Sequence, residues 1–356
     1  MKKRFVIALL LSSVVSSSVF ANVDYKFDLF SLDPLHKEYF ADKGRADLSV
    51  NYLHFSEGFP DIVLQDTSDG RIKVWDISDH MESNDVMMQY KLGETISLFR
   101  NTFRFDSWIS PISFDLSAQA LLQSFYTAGF DNSLGYDGIY FYGGTMRVAN
   151  VFSMRIGYHH YCSHYGDDIF KAINSDSSFT DFNYGYKYIR MNGFVIGLSV
   201  EPTSWARVYG ELNYIPENVS TIRPLMFAPG WFNSNNSNYD EDYNARIVNV
   251  GVEFTLPIFK NLGNTTIGYD LHMYEEGKIV YEEIDGYNPS FESDEPWELE
   301  HNIKIAQQVN DTTSFEISWH KGRSPINSFY FMDTTYLSFG VRFNPSNTIT
   351  LIDTDK

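Results

Sequence analysis

Between His159 and Asp168 the chain gathers three histidines, its only cysteine, a serine and two aspartates. The surrounding stretch, Val151 to Asp168, reads V-F-S-M-R-I-G-Y-H-H-Y-C-S-H-Y-G-D-D. Side chains two apart on an extended strand share a face at a backbone spacing of ~7 Å, close enough to meet. His160 and Cys162 have that spacing, so the imidazole could take the thiol proton and create a nucleophile. Ser163 is the alternative nucleophile, and Asp167 or Asp168 could orient the base. The catalytic candidates are therefore His160, Cys162, Ser163 and Asp167, with His159, His164, Asp168 and Arg155 as binding groups. A zinc site from His160, His164 and Asp167 or Asp168 has suitable donors. Strand parity alone does not gather them, so no metal is assigned and the cofactor is left open. The plainer reading is a rim of amphipathic rings, with Gly166-Asp167-Asp168 turning the chain.

What positions these residues is an alternating strand. Phe152, Met154, Ile156 and Tyr158 form one face, which carries on to His160 and Cys162. Ser153, Arg155 and Gly157 form the other, joined by His159, Tyr161 and Ser163. The same two-residue period recurs along the chain. Glu253 and Thr255 oppose Val252 and Phe254; Asp270 and His272 oppose Ile267, Tyr269, Leu271 and Met273; Glu316, Ser318 and His320 oppose Phe315, Ile317 and Trp319.

Composition supplies the setting. Aromatics make up 17% of the 356 residues, yet the mean hydropathy is only -0.27. Many aromatics in a mildly polar chain suit a membrane β-barrel, which alternates lipid-facing and water-facing positions and adds aromatic girdles. Lys2, Lys3 and Arg4 precede the apolar run Phe5–Leu11, and Val19-Phe20-Ala21 offers a cleavage site, so residues 1–21 read as a secretory signal peptide. Removing those three cations leaves 24 basic against 46 acidic residues, a net charge of −22. Such a surface repels nucleic acid. One cysteine cannot form an internal disulfide, and no later apolar run is long enough for a membrane helix.

These features predict an all-β fold, a transmembrane antiparallel β-barrel of about 12 strands in the outer membrane. The expected strands are 85–92, 95–105, 112–124, 138–149, 151–163, 189–200, 204–215, 244–257, 263–275, 297–308, 312–321 and 334–343. Short links alternate with long polar ones at 125–137, 164–188, 216–243, 276–295 and 321–333, the pattern of periplasmic turns and external loops. The barrel is thus placed at 85–343, with a polar periplasmic tail at 344–356. Residues 22–84 stay open between extra strands, a periplasmic extension and a plug. Outer-membrane lipid and the barrel-assembly machinery are the expected partners. Inward arginines (Arg100, Arg104, Arg147, Arg155, Arg207, Arg342) face Asp115, Glu211, Glu253, Asp270 and Glu316, which predicts internal salt bridges in a narrow barrel or a polar channel.

Two resemblances bear on function. His160-Tyr161-Cys162 is similar to the His-x-Ser of outer-membrane phospholipase A and lipid A deacylases, with cysteine at the serine position; it implies a lipid-directed hydrolase. The run His160-Tyr-Cys-Ser-His-Tyr-Gly-Asp-Asp168 resembles the His-x-Ser-Ser-His-x-Gly-Asp-Glu signature of a bacterial outer-membrane family, domain of unknown function 1207. Tyr188-Ile-Arg-Met-Asn, Tyr209-Gly-Glu-Leu-Asn-Tyr and Gly322-Arg-Ser-Pro-Ile-Asn-Ser-Phe-Tyr agree with it in order. That likeness implies an outer-membrane protein of unassigned activity. The sequence therefore predicts a structural, adhesive or narrow polar-channel barrel, with the hydrolase as the alternative.

Overall fold

In a computed structural model, residues 23–353 are described, except 60–61, 66–71, 76–84, 129–131, 180–188, 217–220, 223–244, 260, 276–279, 284–286, 291–296, 330–332 and 344–348. The expected signal peptide lies outside them.

The strands that build the wall are β1 (Asp24–Ser31), β2 (Leu48–Phe55), β3 (Val86–Arg104), β4 (Ile112–Thr127), β5 (Ser133–Val148), β6 (Phe152–Tyr165) and β7 (Ile189–Thr203). They continue as β8 (Ala206–Ile215), β9 (Ala245–Leu256), β10 (Thr265–Tyr274), β11 (Glu298–Asn310), β12 (Thr313–Arg323), β13 (Asp333–Phe343) and β14 (Ile349–Asp353). From β3 to β13 each barrel strand pairs antiparallel with the next, and β2 closes the ring by pairing with both β13 and β3. Closure satisfies the backbone groups that an open edge would leave bare in lipid.

The side-chain distribution is inverted relative to a water-soluble globule. Leu92 is 65% exposed and Phe315 57%, while Asp270, Glu300 and Asp137 are fully buried. The large apolar side chains cover the outside and the charges fill the inside. That arrangement suits lipid outside and a polar lumen, and the chain is an outer-membrane β-barrel. Among the described residues no helix is long and apolar enough to cross a membrane; the strands do so.

Twelve positions around the wall match the expected number, but their membership differs. The expected strands 85–92 and 95–105 are one continuous strand, β3, whose tilt carries 19 residues through the wall. The twelfth position comes from the amino-terminal stretch. β1 pairs with the lower part of β3 (Ser31 opposite Ser97) and β2 with its upper part (Leu48 opposite Leu92). The two run in the same direction, so they form one strand interrupted by residues 32–47, which leave the wall and enter the lumen.

The barrel therefore starts at Asp24 rather than 85. Its far end also lies beyond 343: Ile349–Asp353, expected in the polar tail, pairs with β1 as β14. The expected long link at 125–137 shrinks to the residues between Thr127 and Ser133. Elsewhere the alternation of connections holds. The turn Val148 to Val151 has Ala149 and Asn150 both at positive φ, as a type I′ turn requires. The link after β6 contains α1 (Asp167–Ser175).

Candidate functional site

The expected constellation on β6 is divided by the barrel wall. Its alternation persists to the strand end, with Ser153, Arg155, His159, Ser163 and Tyr165 buried inside and Ile156 exposed outside. His160 and Cys162 lie on the lipid-side parity, as expected. His160 Nδ1 lies 2.6 Å from Asn192 Oδ1 on β7, and the Tyr158 hydroxyl donates to the same oxygen at 2.5 Å. The hydrogen bond of His160 thus runs across the sheet and not along β6 to Cys162. Cys162 sits over Gly138, where an added Cβ would come within 2.9 Å of the sulfur.

Ser163 points the other way. Its hydroxyl donates to Asp137, and its oxygen lies 2.6 Å from that of Ser328. Asp167 is exposed at the start of α1. Asp168 accepts the Ser133 amide at 2.8 Å and pairs with Lys171 at 2.8 Å, which holds its carboxyl below the usual carboxylate range. His164 stacks on Tyr136, ring centroids 5.2 Å apart. His159 Nδ1 lies 3.2 Å from the Tyr161 hydroxyl. The candidate catalytic residues are therefore not brought together, because a two-residue period sends neighbours to opposite sides of the wall. Among the described residues no group of three or more His, Cys, Asp or Glu side chains is placed to hold a metal ion.

What Ser163 joins is the segment after β12. Ser328 is fully buried, and its carbonyl accepts the Tyr165 hydroxyl at 2.7 Å. Phe329 packs edge-on against both Tyr165 and Phe59. Asp137 also accepts the Asn327 amide at 3.2 Å and Gln123 Nε2 at 2.8 Å. Residues 324–329 are thereby folded inward and fastened to the mouth of the barrel. Asp137→Ala is expected to leave several buried donors unpaired, at a cost of about 1–3 kcal/mol, and to free this segment. In a Cys162→Ser background, an Asn327→Cys thiol should become reactive to an impermeant maleimide on intact cells only when Asp137 is replaced. Equal labelling with Asp137 present would show that the carboxylate does not hold the segment.

The larger assembly lies deeper, where residues 32–47 cross the lumen. Their attachments are mostly polar, with Ala46 packed on Leu121 and Ile139, and they reach strands all around the wall. Arg147 donates to the Leu35 carbonyl at 3.2 Å, and Arg207 donates to those of Lys37 and Glu38 at 2.6 and 2.9 Å. Tyr39 donates to Glu211 at 2.8 Å and stacks on Tyr209 with ring centroids 4.1 Å apart. The Phe40 amide donates to Glu253 at 2.7 Å. Lys43 reaches Glu300 at 2.5 Å and the carbonyls of Arg323 and Ser324 at 3.2 and 3.3 Å, linking the lumen segment to the inward-folded mouth segment.

Space for the two aromatic rings comes from glycines on the inner face. A Cβ at position 197 would lie 2.5 Å from the Tyr39 hydroxyl, and one at 268 would lie 2.6 Å from Phe40 Cδ1. His36 sits between Ser153 (3.1 Å to Nδ1) and Tyr39 (3.0 Å to Nε2). Since Tyr39 gives its proton to Glu211, Nε2–H donates to the Tyr39 oxygen and Nδ1 accepts from Ser153. This is the neutral imidazole. Burial, reinforced by Arg155, Arg207 and Arg147, holds the His36 pKa well below its ordinary value.

The inner wall carries the expected ion pairs. Arg155 meets Glu211 through Nε and Nη2 at 2.5 and 2.8 Å, a two-point contact. Arg207 pairs with Glu253 at 3.2 Å and Arg342 with Glu316 at 2.6 Å. A cavity of about 60 Å³ lies on the outer side of the lumen segment, bounded by Lys43, His272, Tyr274 and Arg323. Another of about 370 Å³ lies on the periplasmic side, bounded by Lys37, Arg45, Trp205 and Arg342.

For 22–84 the sequence left extra strands, a periplasmic extension and a plug open; the structure has two strands with a lumen segment between them. A signal was present, since Gly197 and Gly268 occupy inward positions mid-strand, where a wall facing open water needs no glycine.

No protein-family model matches the chain, and no curated protein matches it. Solved structures similar to it include a NanC porin at 10% identity and TM-score 0.40, covering 84% of this chain and 100% of that one. A KdgM porin matches at 13% identity and TM-score 0.35, covering 83% and 98%. OprB of Pseudomonas putida matches at 8% identity and TM-score 0.32, covering 96% and 97%. Likenesses this distant carry no argument about solute or role.

Proposed function

We propose that this barrel is a narrow channel for small polar solutes, held shut by residues 32–47. The observation that supports this reading is the character of the closure. The segment is bound by hydrogen bonds and ion pairs to a charged wall, between two cavities. Each such bond contributes only ~0.5–1.5 kcal/mol net, because water replaces it when it breaks. Closure of this kind is reversible in a way that an apolar core is not. The lipid-directed hydrolase is the weaker reading, since His160 engages Asn192 and Ser163 engages Asp137.

We further propose kinship with domain of unknown function family 1207. Two of the stretches that carry that resemblance, His160–Asp168 and Gly322–Tyr330, meet through Ser163, Tyr165, Ser328 and Phe329. Insertion by the barrel-assembly machinery follows from the same reading.

The channel reading is tested through His36. A released segment exposes His36 to water, where it titrates near its ordinary value of about 6.5. Held in the lumen, it titrates well below that. The released state therefore binds more protons in this window, and the docked state loses stability as pH falls below about 6.5. Open probability in planar bilayers should rise on acidification, and His36→Gln should remove that part of the response. Glu38, whose pKa burial raises, acts in the opposite direction, so the His36 contribution is read as the difference between the two proteins. Identical pH profiles, or no conductance at any pH, would count against the proposal.

A further inference from the structure

The periplasm-facing cavity is lined by charged groups, nearly all of which have partners. Lys37 pairs with Glu201 at 2.7 Å and Arg207 with Glu253 at 3.2 Å. Arg342 pairs with Glu316, Asp47 with Lys91, Asp33 with Arg100, and Glu38 with Arg155. Two groups stand apart. Arg45 has Nε and Nη1 buried with no hydrogen-bond partner. Glu94 accepts only the amide of its neighbour Thr95, at 3.0 Å. Among the described residues neither forms an ion pair, with each other or with a third group, although Arg45 is one of the charged neighbours of Glu94.

The position of Glu94 adds a second observation. On β3 it shares parity with Leu92, which faces lipid. A carboxylate on that face near mid-membrane carries a cost. It borders the cavity instead because β3 residues 93–96 have no strand beside them where β1 ends and β2 begins. The interruption of the wall gives this side chain a polar outlet. Its own chain then supplies Arg45 at the return of the lumen segment to β2.

We propose that this cavity is a binding site for a small zwitterion, its carboxylate on Arg45 and its ammonium on Glu94. An arginine fork matches a carboxylate in shape and charge. An unpaired carboxylate nearby excludes simple anions and selects ligands that also carry a cation. At about 370 Å³ the cavity admits molecules of amino-acid size. The inference deepens the channel reading, on which it rests, by naming the class of solute.

The test uses the full-length barrel in detergent at low ionic strength, titrated calorimetrically with glycine, β-alanine and 4-aminobutyrate. Acetate and methylammonium serve as the half-ligands. At least one zwitterion should bind tenfold or more tightly than either half-ligand, and the best of the three reports the separation of the two charges. Arg45→Gln and Glu94→Gln should each weaken that binding at least tenfold. Neither residue has an ion-pair partner to orphan, and the half-ligand comparison stands on the unaltered protein. Acetate binding equally well would reveal an anion site, methylammonium binding equally well a cation site, and either overturns the proposal. So does an absence of binding, or binding that ignores both substitutions. Bilayer conductance measured in parallel separates the two readings. Zwitterion binding without conductance supports the site and overturns the channel; conductance with no zwitterion binding overturns the site alone.

Discussion

Replacing residues 32–47 with a six-residue glycine–serine linker is expected to raise single-channel conductance at least tenfold. Ser31 and Leu48 lie opposite Ser97 and Leu92 of β3, so the linker must cover five residue steps, or ~17 Å at about 3.3 Å per residue. Six residues reach that distance and keep all twelve wall positions. The wall also keeps the ion pairs made between its own strands. Glu211 retains Arg155 and Glu253 retains Arg207, because those pairs are made within the wall. Glu300 loses Lys43 and keeps the Tyr274 hydroxyl and Asn302 as donors. Glu201 loses Lys37 and keeps Arg147; Lys91 loses Asp47 and faces the opened lumen instead. Planar-bilayer recording checks the outcome. Unchanged conductance in a folded variant would mean that the lumen is blocked by something else.

The second large effect is expected at Arg155, which is 5% exposed and carries the two-point contact to Glu211. Arg155→Met leaves the Glu211 carboxylate buried without its cation, at a cost of about 3–5 kcal/mol. The companion double variant, Arg155→Met with Glu211→Leu, removes both charges and should recover most of that loss. Urea unfolding of the barrel in lipid vesicles measures both. A single variant as stable as the unaltered protein would show that water reaches this part of the lumen and screens the charge. If the double variant were the less stable of the two, the pair would be a net stabiliser rather than a compensated burden.

Much of the barrel was legible in the sequence because lipid outside and charge inside impose a strict two-residue period. Asp270 and His272 against Leu271 and Met273 can be placed without knowing any partner strand. Connections were less legible. Val86–Arg104 reads as two strands because Gly93-Glu94 interrupts its apolar face, and the physical cause is the missing neighbour at that height. β1 and β2 each alternate well, but a barrel strand broken by an inward excursion has no periodic signature. On β6, the parity of His160, Cys162 and Ser163 was readable while their partners were not. Asn192, Asp137 and Ser328 are 32, 26 and 165 residues away in sequence, and only the sheet register and the inward fold after β12 bring them near.

The interrupted strand also limits how the lumen can clear. Residues 32–47 are anchored at both ends in the wall, so they cannot depart as a free plug would. A tether of 16 residues has a contour of roughly 53 Å at 3.3 Å per residue. Pinned at two points ~17 Å apart, its middle can swing no more than about 25 Å from the wall. Clearance is thus a hinged sweep in one sector, and the aperture it leaves is lopsided. The arc of wall opposite the anchors, around β7 to β9, would become the exposed side of the passage while the β3 side stays shadowed by the tether.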